Sequence, residues 1–212
     1  MEEKIFFQSE NHRLEGLISK STEEKGIVIT HPHPLYGGDM YNPVVETIAR
    51  CCQKNGYATL RFNFRGVGRS EGSYDEGIGE QQDVISAVSA FREKGIKHID
   101  LAGYSFGSWV IAQIGCKADF GCKADFGCKA DFVENMIMVS PPAAFMDFQG
   151  VGAIPCLRLV ITGAEDEIAP AELVKKMLPT WNPDARFEII QGADHFYSGC
   201  LKKLEAVLCF PE

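Results

Sequence analysis

The pentapeptide Gly103-Tyr104-Ser105-Phe106-Gly107 is a G-x-S-x-G pattern that sets a serine hydroxyl between two residues without side chains. A serine is a poor nucleophile until a base takes its proton, and the base needs a carboxylate to fix its tautomer. Of the five histidines, His195 is the one placed for this work, in Gly192-Ala193-Asp194-His195-Phe196 just after the last apolar run. His12 precedes the core of the chain and His98 enters the serine-bearing run from its far end. The carboxylate is expected at Asp166, because Gly163-Ala164-Glu165-Asp166-Glu167-Ile168-Ala169-Pro170 reads G-x-x-D-x-x-x-P. Glu165 and Glu167 would point elsewhere on a tight turn, and Asp194 would have to fold back onto its own neighbour. The order Ser, Asp, His is the chemistry of acyl transfer.

Acyl transfer also needs backbone N–H donors for the developing oxyanion. Phe106, directly after the serine, is one candidate. The second is expected in His31-Pro32-His33-Pro34-Leu35-Tyr36-Gly37-Gly38, where neither proline has an N–H to give. That moves the expected donor to Leu35, with Tyr36 second. Tyr36 and Tyr104 are the expected substrate contacts. His31 and His33 sit at alternate positions, as a metal pair would, but the interleaved prolines and the lack of a third nearby ligand favour a loop-shaping role, and no metal or cofactor is expected.

These groups have to be held by regular elements, and the hydrophobic pattern supplies them. Two alternating stretches, Lys4 to Ser9 and Arg13 to Ser19, read as a hairpin, and Gly26 to Thr30 reads as a strand buried on both faces. Asn42-Pro43 forms an N-cap and first turn, Val44, Val45, Ile48 and Cys52 form a helical stripe, and Asn55-Gly56 ends it. The alternation continues with strands at Ala58 to Phe64, Ile99 to Gly103, Met136 to Val139, Leu157 to Thr162 and Arg186 to Ile190. Helices are expected from about Glu80, over the residues after Ser105, at about Pro170 to Leu178 and at Gly199 to Cys209. Strands alternating with helices imply a mainly parallel sheet covered on both faces, with all three catalytic candidates on loops at its carboxyl edge.

One segment stands apart. Residues 115–132 read Gly-Cys-Lys-Ala-Asp-Phe three times without change. Six residues advance a helix by about 600°, so Phe120, Phe126 and Phe132 would share no helical face, whereas an extended chain would put Cys116, Ala118 and Phe120 on one side. Three thiols spaced this way are a poor zinc set and three rungs a minimal solenoid. The reading adopted is a tandem duplication that lengthens a surface connection after the serine-bearing helix.

The bulk composition is that of one globular domain over residues 1–212: 45% hydrophobic and 24% charged, with a formal net charge of −8. The basic residues are scattered, which argues against a nucleic-acid partner. The first residues lack a basic, apolar leader, and no segment has about 18 unbroken apolar residues, so no membrane partner and a cytoplasmic location are expected. The eight cysteines are then read as free thiols.

The motifs together resemble the α/β-hydrolase superfamily over nearly the whole chain. The loop His31 to Gly38 and the segment Arg61-Phe62-Asn63-Phe64-Arg65-Gly66-Val67-Gly68-Arg69-Ser70-Glu71-Gly72 resemble the small, capless bacterial hydrolases related to dienelactone hydrolases. The resemblance implies an α/β-hydrolase fold without a cap domain, the same three catalytic residues at Ser105, Asp166 and His195, and a structural Arg65. Dienelactone hydrolases proper use cysteine as nucleophile, so their substrate is not carried over. The expected activity is hydrolysis of a small-molecule ester or thioester of short to medium acyl chain, since Pro141 to Pro155 is too short for a helical lid and Phe145, Met146 and Phe148 would form an apolar rim. A peptidase or amidase on the same triad and a non-catalytic interaction module are the alternatives; the oligomeric state is left open.

Overall fold

The computed structural model describes residues 2–115 and 133–208. The three-copy repeat, apart from Gly115, and Cys209 lie outside the described residues. The chain opens with the hairpin β1 (Glu2–Ser9) and β2 (His12–Ser19), followed by β3 (Lys25–Thr30) and a single 3-10 turn at Pro34–Tyr36. Then come α1 (Pro43–Lys54), β4 (Ala58–Phe62), α2 (Ile78–Glu93), β5 (His98–Tyr104) and α3 (Phe106–Gly115). The remainder is β6 (Met136–Val139), β7 (Leu157–Gly163), α4 (Ala171–Trp181), β8 (Arg186–Ile190) and α5 (Leu201–Leu208).

The eight strands form one sheet in the order β1-β2-β4-β3-β5-β6-β7-β8. The β1–β2 and β2–β4 pairs are antiparallel, and every pair from β4–β3 to β7–β8 is parallel. Strand alternation splits the core between two faces. Val28 of β3 and Ile99 and Leu101 of β5 pack under α2, α3 and α4, while Ile27, Ile29, Ala102 and Tyr104 pack under α1 and α5. The α/β fold with helices on both faces is therefore as expected.

Local chemistry explains the element ends. Asn42 accepts from the Val44 N–H at 2.9 Å to cap α1, and Pro43 occupies its first turn, where a missing N–H costs nothing. The sequence pattern stops α4 near Leu178, ahead of Pro179; the helix instead runs to Trp181. Trp181 is buried and stacks on Phe148 at 5.1 Å, which holds the last turn despite the lost donor. The same contact removes Phe148 from the expected rim and places it in the core, where Phe148, Val151 and Ile154 recur at every third position and are all buried. Cys51, Cys156 and Cys200 are buried in the core.

Arg65, on the turn after β4, is structural, as the resemblance implied. Its guanidinium donates from Nε and Nη2 to Asp83 Oδ1 at 3.2 and 2.8 Å, and its backbone N–H donates to Asp83 Oδ2 at 3.0 Å. Asp83 also accepts from Ser9 Oγ at 2.8 Å and is fully buried. Removing one partner leaves an uncompensated buried charge, so Arg65→Ala or Asp83→Ala should lower the unfolding free energy by about 3–5 kcal/mol. A urea titration checks this, and Arg65→Met combined with Asp83→Leu should recover a large part of the loss.

Candidate active site

The sheet register brings the functional loops together. Thr30 pairs with Gly103, Tyr104 with Val139, Val139 with Ile161, and Gly163 with Ile190. The loops after β3, β5, β7 and β8 therefore leave the same edge of the sheet side by side.

Ser105 sits between β5 and α3 with a φ of 53°, a left-handed conformation that a serine adopts only under constraint. Its flanking glycines are a packing requirement. A Cβ on Gly103 would meet the Gly107 carbonyl oxygen at 2.6 Å, and one on Gly107 would meet Thr30 Oγ1 at 2.5 Å and the His31 oxygen at 2.7 Å. The Ser105 N–H donates to the Val139 carbonyl at 2.9 Å, which ties the turn to the neighbouring strand.

The structure brings Ser105, His195 and Asp166 into one hydrogen-bonded line. His195 Nε2 lies 2.9 Å from Ser105 Oγ, and His195 Nδ1 lies 2.9 and 3.0 Å from the two oxygens of Asp166. A carboxylate only accepts, so Nδ1 carries the proton and Nε2 is left to accept from the serine. All three are buried, at 7%, 6% and 4% exposure. Glu165 and Glu167 face solvent, and Asp194 accepts from the Ser198 N–H at 2.9 Å, so none of them competes for the ring.

Asp166 is held as an anion by its donors. Burial alone would raise its carboxyl, but His195, the Ala169 amide and the Ser140 hydroxyl reverse this and keep it below the usual carboxylate range. Its Oδ1 accepts from the Ala169 and Ile168 N–H groups at 2.7 and 3.0 Å. The sequence pattern missed Ser140 and Tyr197, whose hydroxyls are 2.9 Å apart behind the carboxylate. Both are buried, and polar residues ending a buried strand and following the histidine are the available signal.

Tyr104 stands at the cavity wall with its hydroxyl engaged elsewhere. Its ring borders the cavity, but it is buried and its hydroxyl donates to the His195 carbonyl at 2.9 Å. Its hydroxyl thus holds the histidine loop, and only its ring faces the cavity. Tyr36, by contrast, is 86% exposed and lines the cavity.

Leu35 is corrected. Its N–H donates to His33 Nδ1 at 3.2 Å, and its side chain points to solvent. The next amides are occupied too: Tyr36 and Gly38 donate to the His33 carbonyl, both at 3.1 Å, and Gly37 to that of Pro34 at 3.4 Å. The His33 N–H, between two prolines, has no acceptor among the described residues and lies on a cavity-lining residue. Phe106 opens α3, where a first-turn N–H has no intrahelical partner. Both residues border the cavity that contains Ser105 and His195, about 550 Å³ in volume. The two amides, rather than Phe106 and Leu35, are thus the ones left with unspent donors.

The side chains of His31 and His33 are both engaged. His31 Nδ1 contacts the Pro32 oxygen at 2.6 Å and Nε2 accepts from the Phe64 N–H at 3.0 Å, so the ring ties the loop to the end of β4. His33 caps the 3-10 turn and stacks on Phe106 and Tyr36, both at 4.8 Å. Burial lowers its ring below the usual histidine range. The remaining wall comes from Pro142, Phe145, Met146, Ile168 and Phe196.

A mainly parallel sheet with a serine on a strained strand-to-helix turn, a histidine and an acid in line, is the architecture of a hydrolase. The chain belongs to the α/β-hydrolase family, in its capless form. It is 30% identical over 206 residues to an uncharacterised protein of Rickettsia prowazekii, covering 92% of this chain and 82% of that one. Among solved structures, it is similar to an α/β serine hydrolase homologue from Coxiella burnetii, with 32% identity, a TM-score of 0.86, and coverage of 98% of this chain and 95% of that one. A serine hydrolase without a lid from Xanthomonas campestris matches with 28% identity, a TM-score of 0.83 and coverage of 98% and 91%. No protein-family profile matches the chain. Among the described residues no helix is long and apolar enough to cross a membrane.

The His31 ring makes the site region pH-sensitive in a calculable direction. Complete burial, assisted by His33 and opposed by the Pro32 carbonyl, pushes it down to about 4 from its ordinary 6.5. Between these values the unfolded chain binds the proton and the folded one does not, so stability is full above 6.5 and is lost as pH falls towards 4. The loss amounts to about 3 kcal/mol. Urea unfolding at pH 7, 5.5 and 4 should show this slope, and His31→Gln, which cannot titrate, should flatten it.

Proposed function

We propose that this chain hydrolyses a carboxylic ester or thioester of short to medium acyl chain through an acyl-enzyme. The observation that carries the reading is the single line from Asp166 through His195 to Ser105, opening on a cavity. Ser105 Oγ attacks the carbonyl carbon as its proton passes to His195 Nε2, and Asp166 stabilises the imidazolium. The carbonyl oxygen, now an oxyanion, accepts from the His33 and Phe106 N–H groups. Collapse breaks the bond to the alkoxide or thiolate, which leaves with the proton from His195. Water, deprotonated by His195, then attacks the acyl carbon and releases the acid and Ser105.

Support for short and medium acyl groups is the open approach. The connection between β6 and β7 holds no helix, and its Phe145 and Met146 stand at the cavity wall. Hydrolysis of p-nitrophenyl esters of increasing acyl length should peak at short chains, and kcat/KM should fall by about 10⁴-fold or more in Ser105→Ala. Activity unchanged in that variant would contradict the reading.

The reassigned oxyanion donor has its own test. His33 has a φ of −57°, which proline also adopts, so His33→Pro deletes the amide proton with that angle kept. kcat should fall by about 10²–10³-fold. His33→Asn keeps both the N–H and a capping acceptor and should lose far less; equal losses would return the role to another group.

A further inference from the structure

The residues that line the cavity fall within the stretches 31–43, 103–109, 140–149, 163–170 and 191–199, and none of these stretches contains a lysine or an arginine. They do contain carboxylates. Asp39 follows Gly38, Asp147 follows Met146, Glu167 precedes Ile168 and Asp194 precedes His195, so each is next to a cavity-lining residue. Among the described residues none of these four is in a salt bridge. The repeat adds no net charge, since each copy carries one lysine and one aspartate.

The cavity itself is uncharged and aromatic. Its described lining includes no lysine, arginine, aspartate or glutamate. Tyr36, Phe145 and Phe196, from three different loops, leave 86%, 71% and 65% of their surface open at its mouth. Such faces stack on flat rings and attract cations through their quadrupole. An anionic group entering here would lose its hydration, find no counter-charge and face a rim of one sign.

We infer that the site takes aryl-bearing esters whose outer end is uncharged or cationic, and refuses those carrying a carboxylate or phosphate there. The inference rests on the acyl-transfer reading and adds the class of substrate. Selection arises in two layers: the aromatic mouth favours a planar group, and the carboxylates outside any salt bridge sort substrates by charge before they reach Ser105.

The test uses three matched acetates: 4-methylphenyl acetate, 4-acetoxyphenylacetate and 4-acetoxybenzyltrimethylammonium. A methylene insulates the charge from the leaving oxygen, and each rate is divided by that of hydroxide alone. At low salt, kcat/KM should fall in the order cation, neutral, anion, by about tenfold or more across the series. The spread should shrink between about 20 and 500 mM NaCl and in Asp147→Asn combined with Glu167→Gln. The ratio of kcat/KM for phenyl over methyl acetate should fall roughly three- to tenfold in Tyr36→Ala and in Phe145→Ala, whose side chains are largely exposed. Any other charge order, a salt-independent order, or an unchanged aryl ratio overturns the inference. If Ser105→Ala hydrolyses the series like the wild type, the acyl-transfer reading has failed first; if hydrolysis needs Ser105 but ignores charge, only the selectivity has failed.

Discussion

The turn at Ser105 is the constraint from which most of the architecture follows. A serine held at a φ of 53° costs on the order of 1–3 kcal/mol and persists only if the surroundings leave it no alternative. β5 lies between β3 and β6 in the middle of the sheet, and α3 starts at the next residue, packed so closely that Cβ atoms at positions 103 and 107 would collide with backbone or Thr30. Strand and helix cannot separate, so the turn cannot relax. The reward is a hydroxyl raised above the carboxyl edge of the sheet, beside a helix start where negative charge is stabilised. The parallel register then delivers the other loops to the same edge.

The charge arrangement around that hydroxyl is economical. Asp166 is the anion at the end of the line, kept ionised in a buried place by donors from two loops and by the Ser140–Tyr197 pair. Tyr104 fixes the carbonyl of the histidine, and Gly163 lies so close to Ala193 that a Cβ there would collide with the histidine loop. On the other side His31 is kept neutral by burial, and its ring ties the loop after β3 to the end of β4. A low-dielectric site of this kind strengthens each remaining interaction.

Much of this was legible in the sequence because the physics is local. Asn42-Pro43 and Asn55-Gly56 bound α1 through capping and turn chemistry, and the runs of β3, β6 and β7 are too apolar to lie anywhere but a covered sheet. Ser105, Asp166 and His195 are recognisable because each lies on the loop that follows a strand, so their relative positions follow once the strands are parallel. What escaped depended on who spends which hydrogen bond. Leu35 and Tyr104 have suitable groups, but His33 Nδ1 and the His195 carbonyl occupy them, and that pairing exists only after the loops fold. The His33 amide was the one signal in plain view, since it is the only N–H between two prolines. Phe148 was misjudged because its distant neighbour Trp181, beyond Pro179, was expected outside a helix.

The central claim is that the Asp166–His195–Ser105 line makes one hydroxyl in this chain nucleophilic. A fluorophosphonate reports this directly, because only an activated serine displaces its fluoride. Intact mass after incubation at pH 7 should show one adduct per chain, and peptide mapping should put it on Ser105, with labelling slowed severely in Asp166→Asn. An unmodified protein, or an adduct on another residue, would contradict the account at its root.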